Sequence, residues 1–149
     1  MNPHRRGNTG AVENSERPVS RVQDIARKAL GATLLFTGTG HLTFARREFE
    51  VQVPPWVPMN PDTVVLASGV VEIAAGASTL ALPRQRALMG RLLAALFVAV
   101  FPGNISQYTQ QRDGFGLNTD TLRFVRLLFQ PVLVAWALWS TGALPRRKA

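Results

Sequence analysis

The sequence predicts an all-α protein, a bundle of four transmembrane helices with both termini on the cytoplasmic side. Three observations predict it. Four segments are long and nearly free of charge. They are apolar almost all round, with Gly, Ala, Ser and Thr scattered through them, whereas a soluble bundle would show a polar stripe at 3.6-residue spacing. The 17 Lys and Arg are also divided unequally between alternate connections, which is how inserted helices record their orientation.

Residues 1–20 are polar and charged, the composition of a disordered basic tail. No apolar stretch follows Arg5 and Arg6 closely enough to make a secretory signal. The four-helix domain is expected over 21–145, with a short basic tail at 146–149. The first helix, about 25–45, contains the uncharged run ALGATLLFTGTGHLTFA. The second, about 62–82, carries Glu72 as its one charge between Thr63 and Leu82. The third, about 87–107, contains the uncharged run LLAALFVAVFPGNI, and the fourth, about 122–143, contains LLFQPVLVAWALWSTGAL. A crossing needs about 20 residues. The first and third runs reach that length with their flanks, Arg27 and Arg91 extending toward an interface.

The connections differ in kind. Pro83 to Arg86 is a short turn suited to an antiparallel hairpin. Pro54, Pro55, Pro58 and Pro61 crowd the first outer loop, which disfavours helix and favours extended chain. Trp56 suits a membrane interface there. The second outer loop, near Tyr108 to Thr121, is polar and contains Gly114 and Gly116.

The net charge of +8 and pI of about 11.6 suggest a nucleic-acid binder when taken as averages. Their distribution excludes that partner and points to the lipid bilayer. Residues 1–28, 83–91 and 145–149 carry twelve Lys and Arg; residues 46–62 and 108–126 carry five. With the acids included, the cytoplasmic side stands at +9, the other side at zero, and Glu72 supplies −1 within the membrane. The absence of cysteine excludes disulfide exchange and thiolate-held metals. Two histidines, His4 and His41, exclude a His-rich metal site and a bis-His haem within the helices. No metal site is expected.

Chemistry must come from the polar residues inside the spans. Glu72 lies about ten residues from the outer end of its helix, or ~15 Å deep. A carboxyl there is protonated, paired or faces a polar cavity. It reads either as a proton-exchanging group or as a lock on helix packing. His41, about a turn from the outer end of the first helix, either relays protons with Glu72 or sits among headgroups. Asn104 and Gln107 follow Pro102, whose missing N–H frees backbone carbonyls; they read as ligand-binding groups or as a plain helix end. Arg126 and Gln130 are four apart and share a face. Arg126 is a counter-charge for Glu72 or for a ligand, or it snorkels outward. Arg123 reads as interfacial. His41, Glu72, Asn104, Arg126 and Gln130 come from four helices and all lie between the midplane and the outer face, which predicts one polar pocket opening outward.

The order GTGHLTF, VPPWVP, SGVVEIAAG, PRQR, FPGNI and RFVRLLFQP resembles the DoxX family of small four-helix membrane proteins, over roughly Arg21 to Leu144. The resemblance implies an integral protein of the bacterial cytoplasmic membrane. It also implies association with oxidoreductase and redox-defence systems, one family member being a subunit of a thiosulfate:quinone oxidoreductase. The matching positions are His41, Glu72, Pro102, Asn104, Arg126 and Gln130.

Two functions stay open at this point. In one, the chain is the membrane subunit of a quinone-linked oxidoreductase system. Glu72 and His41 handle protons, Asn104, Gln107, Arg126 and Gln130 bind the ligand, quinone is the cofactor, and a redox partner subunit carries the electrons. In the other, it is a non-catalytic scaffold or a small-solute transporter. Stand-alone catalysis is not expected, and a homo-oligomer is compatible with both.

Overall fold

A computed structural model describes residues 19–144. The expected basic tails, residues 1–18 and 145–149, lie outside the described residues. The described chain is helical and contains no strand. Four long helices, α1 (Arg21–Leu42), α3 (Pro61–Ala81), α4 (Arg86–Thr109) and α5 (Asp120–Ser140), are accompanied by a short α2 (Arg46–Glu50). A single 3₁₀ turn at Pro83–Gln85 joins α3 to α4.

Each boundary has a local cause. α1 begins four residues before the expected position because Ser20 and Gln23 form a reciprocal capping box. It ends at Leu42, and the chain turns into α2. The proline-rich loop is not simply extended: Pro61 occupies the first turn of α3, where a missing N–H costs nothing, and Asn60 caps it. Thr119 caps α5 by accepting from the Leu122 amide. Pro102 and Pro131 lie inside α4 and α5 without ending them.

Two antiparallel hairpins make up the bundle. α1 packs along α3 and α4 along α5; α1 also touches α5, and of these neighbouring pairs around the bundle α3 and α4 meet least. Close approach of α1 and α3 rests on glycine. A Cβ on Gly31 would lie 3.1 Å from the Gly76 carbonyl oxygen, and one on Gly38 would lie 2.8 Å from that of Gly69. Leu30, Leu34, Leu93, Phe97 and Ala137 form the apolar core.

The bundle is apolar outside, and it buries several polar side chains beside its apolar core. Ile25, Phe36, Val70, Val98, Phe129 and Val132 are exposed, while Thr79, Asn104, Gln107, Gln130 and Ser140 are buried. Water would penalise that arrangement, and hydrocarbon favours it. Three helical segments, Pro61–Ala81, Pro83–Thr109 and Asp120–Ser140, are long and apolar enough to cross a membrane. α1 is equally long, but Arg27, Lys28 and its Gly and Thr residues dilute its hydropathy.

Arg27 does not extend toward an interface. It is 3% exposed and turns inward to donate to the Thr79 carbonyl at the end of α3 and, at 2.7 Å, to Asp24. The last carbonyls of a helix have no intrahelical donor, so a guanidinium finds a partner there more readily than in lipid. Arg91 is exposed. Arg123, in the first turn of α5, does not extend outward either. It is buried and paired with Asp113 and Asp120, and it also donates to the Arg112 carbonyl.

Candidate functional site

The glycine contacts between α1 and α3 determine where Glu72 sits. Gly69 and Gly76 flank it on α3, opposite Gly38 and Gly31 on α1. With the two backbones this close, the Glu72 carboxyl reaches α1 directly. Its Oε2 accepts from Thr37 Oγ1 at 2.7 Å and lies 3.7 Å from His41 Nδ1. His41 Nδ1 is also 2.9 Å from the Thr37 carbonyl oxygen. An N–H on Nδ1 would satisfy that carbonyl and leave Nε2 as an acceptor. His41 and Glu72 are therefore linked through Thr37, whose carbonyl meets the imidazole and whose hydroxyl meets the carboxyl.

α4 and α5 supply the facing wall. Pro102 has no N–H for the ladder of α4. Beside that break, the Phe97 carbonyl accepts from the Gln130 amide of α5. Asn104 Nδ2 donates to Gln130 Oε1 at 2.9 Å. Gln130 thus has both ends of its amide engaged and works as a strut between α4 and α5. Arg126 lies one turn earlier on the same face of α5. Its buried Nε has no hydrogen-bond partner, and the residue lines the same cavity as Glu72 without an ion-pair contact.

His41, Glu72, Asn104, Arg126 and Gln130 all line one cavity of about 410 Å³. That volume lies in the range of ligand sites. Leu30, Leu34, Phe97 and Leu133 give it an apolar floor, and the polar groups gather nearer the α2 end. Gln107 is not brought to it. It is fully buried in a separate junction, accepting from Gln52 Nε2 and donating to the Arg112 carbonyl, both at 3.4 Å.

A cap formed by α2 and the segment after it covers the polar end. The Phe49 ring stacks on His41 with centroids 3.4 Å apart, and Phe115 meets Phe49 edge-on at 4.6 Å. Arg112 Nη1 donates to the Val51 and Val53 carbonyls at 3.2 and 3.0 Å. Arg46 forks onto Asp62 at the start of α3, and that carboxylate holds the Arg46 guanidinium above its ordinary range. Gly103 lets the Gln52 backbone lie against α4, since a Cβ there would come within 2.7 Å of the Gln52 carbonyl oxygen.

Sequence reasoning missed Thr37, Phe49 and the strut role of Gln130. Thr37 was visible as one helical turn before His41. Nothing in RREFEV signals a ring that stacks on a histidine. Among the described residues no three His, Asp or Glu side chains gather into a metal-ligand set.

The family model described as "Domain of unknown function (DUF8561)" matches residues 30–141. That span contains every residue of the cavity's polar set. No curated protein and no solved structure gives a significant match.

Proposed function

We propose that this chain, which belongs to the DUF8561 family, is the membrane subunit of a quinone-linked oxidoreductase system in the bacterial cytoplasmic membrane. All four long helices span the bilayer, both termini are cytoplasmic, and the cavity lies in the outer half. The resemblance of the ordered motifs to the DoxX family supports the redox setting, and the twelve-to-five division of Lys and Arg supports the orientation. A redox partner subunit supplies electrons, since the chain has no cysteine and no metal-ligand set among its described residues.

One observation carries the reading. A carboxyl, an imidazole and an unpartnered guanidinium nitrogen converge on a largely apolar cavity within a bundle whose outer faces are apolar. A quinone head group needs an apolar slot, donors for its oxygens and a route for protons. Arg126 Nε is the free donor, Asn104 adds its amide, and Glu72 with His41 moves protons between the cavity and the cap. Gln130 keeps Asn104 and the Phe97 carbonyl in place.

The test is quinone binding by the purified protein in lipid nanodiscs, together with the redox phenotype of Glu72→Gln in cells. Binding that is lost in Arg126→Gln and a phenotype that is lost in Glu72→Gln are expected. No quinone binding, with a normal redox phenotype in Glu72→Gln, would sink the proposal. The glycine-held contact between Thr37 and Glu72 favours a second reading, in which the polar set locks a non-catalytic scaffold or lines a small-solute path. Solute flux in vesicles that Glu72→Gln abolishes would favour the transport form.

A further inference from the structure

The two ends and the sides of the cavity are not equally closed. Toward the α2 end, the cap is fastened to three different helices. Phe49 stacks on His41 of α1, Arg46 forks onto Asp62 of α3, and the Gln52 carbonyl lies against Gly103 of α4. The Arg112 guanidinium further pins the Val51 and Val53 carbonyls. Away from that end, the core residues Leu30, Leu34 and Phe97 form the floor. The side between α3 and α4 has no comparable closure, because these two neighbours pack least against each other. Val64 and Ser68 of α3 and Ala99 and Val100 of α4 line the cavity there, and both α4 residues are also exposed on the outer surface. That outer surface is the one made of exposed Val, Leu and Phe.

The geometry points to a lateral portal between α3 and α4, through which the cavity takes a membrane-dissolved amphiphile, its oxygen-bearing head toward Arg126 and its apolar tail left in the lipid. This rests on reading the cavity as a ligand site in a membrane-spanning bundle, and it names the route and the class of molecule. Three features fit an amphiphile better than a water-soluble anion. The lining is mostly apolar, with its polar groups gathered at one end. The donor that lacks a partner lies at that end. The residues lining that side carry no charge, and Ser68 alone among them has a hydrogen-bonding side chain, so an ion crossing there would lose its hydration with little compensation.

The natural absence of cysteine allows a test that needs no quinone. Three single-cysteine variants in lipid nanodiscs are labelled with an apolar maleimide dissolved in the bilayer and with a charged methanethiosulfonate in the water. Ser68→Cys reports the cavity, Val70→Cys the lipid-facing side of α3, and Asn118→Cys the polar loop. Burial slows every reagent at a thiol by disfavouring the thiolate, so the ratio of the two rates is what identifies the route. The apolar-to-charged ratio at Ser68→Cys should resemble that at Val70→Cys and exceed that at Asn118→Cys by about tenfold or more. Adding Val100→Trp should slow the apolar reagent several-fold, whereas Phe49→Ala should not make the site reachable by the charged one.

A ratio like that of Asn118→Cys, or no labelling of Ser68→Cys by either reagent, overturns the portal. So does entry that Phe49→Ala controls and Val100→Trp does not. If the labelling pattern is as expected and quinone nevertheless fails to bind, the redox reading fails and access from the lipid stands.

Discussion

Gly38 of α1 and Gly69 of α3 are so close that a Cβ on either would lie within 2.9 Å of the other's carbonyl oxygen. The contact repeats seven residues away, at Gly31 and Gly76, so two helices meet backbone to backbone over two turns. Glu72 lies between the two contacts on α3. Its hydrogen bond to Thr37 therefore depends on helix separation as much as on side-chain chemistry. Gly69→Ala places a methyl 2.7 Å from His41 Cβ as well as against the facing backbone, and neither can yield without moving a helix. The expected result is a loss of roughly 1–3 kcal/mol, the usual cost of overpacking, seen as a lower thermal midpoint in detergent. Gly116→Ala, where a Cβ would meet nothing within 4 Å, carries the backbone strain of its positive φ alone and should cost less. Equal losses at the two positions would refute the close-packing account.

The Asn104–Gln130–Phe97 chain gives a second prediction. Gln130→Ala removes the donor to the Phe97 carbonyl and the acceptor for Asn104 together. Leaving such groups buried without partners costs about 1–3 kcal/mol in general, at the lower end inside membranes. Asn104→Ala leaves the Phe97 carbonyl satisfied and should cost less. The double variant should be no worse than Gln130→Ala alone, because the bond to Asn104 can be lost only once. Additive losses in a thermal-unfolding cycle would show that the two side chains are not coupled.

How much of this was legible beforehand follows the physics of each signal. Charge-free runs fixed the long helices to within a few residues, because hydropathy is a property of composition. Ends were less legible. α1 begins early through the Ser20–Gln23 capping box, and Pro61 starts a helix where proline crowding suggested extended chain. The convergence of His41, Glu72, Asn104, Arg126 and Gln130 could be read from depth, because rare polar residues in the same half of a small bundle have few places to go. Gln107 shares a helix face with Asn104 but lies one turn nearer the end of α4, where Gln52 and the Arg112 carbonyl engage it first. The burial of Arg27 and Arg123 was not legible, for a common reason. The partners that bury them, the Thr79 carbonyl and Asp113, come from other parts of the chain, and no single-segment pattern reveals them.

Arg27 yields the third prediction. Its guanidinium caps the C-terminal end of α3 through the Thr79 carbonyl and lies against Asp24, which also holds Lys28 at 2.7 Å. In Arg27→Met the stem packing is largely kept, Asp24 retains Lys28, and the loss isolates the cap on α3. A drop of about 1–2 kcal/mol is expected, in line with a charged hydrogen bond to a buried carbonyl. Arg27→Lys should recover part of it. No change in the thermal midpoint for Arg27→Met would mean that the carbonyl finds another donor and that α3 does not depend on this contact.

Glu72 separates the functional reading from the structural one. Glu72→Gln keeps the length of the side chain and an oxygen that can accept from Thr37, so the α1–α3 contact should survive and the thermal midpoint should stay close to that of the unaltered protein. What it removes is a group that can take up and release a proton. If Glu72 and His41 serve a ligand, quinone affinity should fall by about tenfold or more, equivalent to roughly 1.4 kcal/mol, and its dependence on pH should flatten. Thr37→Val tests the scaffold role from the other side, since it breaks the hydrogen bond to Glu72 and leaves the carboxyl able to ionise. The ligand reading therefore expects Glu72→Gln to damage binding more than folding and Thr37→Val to do the reverse. A Glu72→Gln protein that loses stability while binding quinone normally would identify the carboxyl as a packing lock.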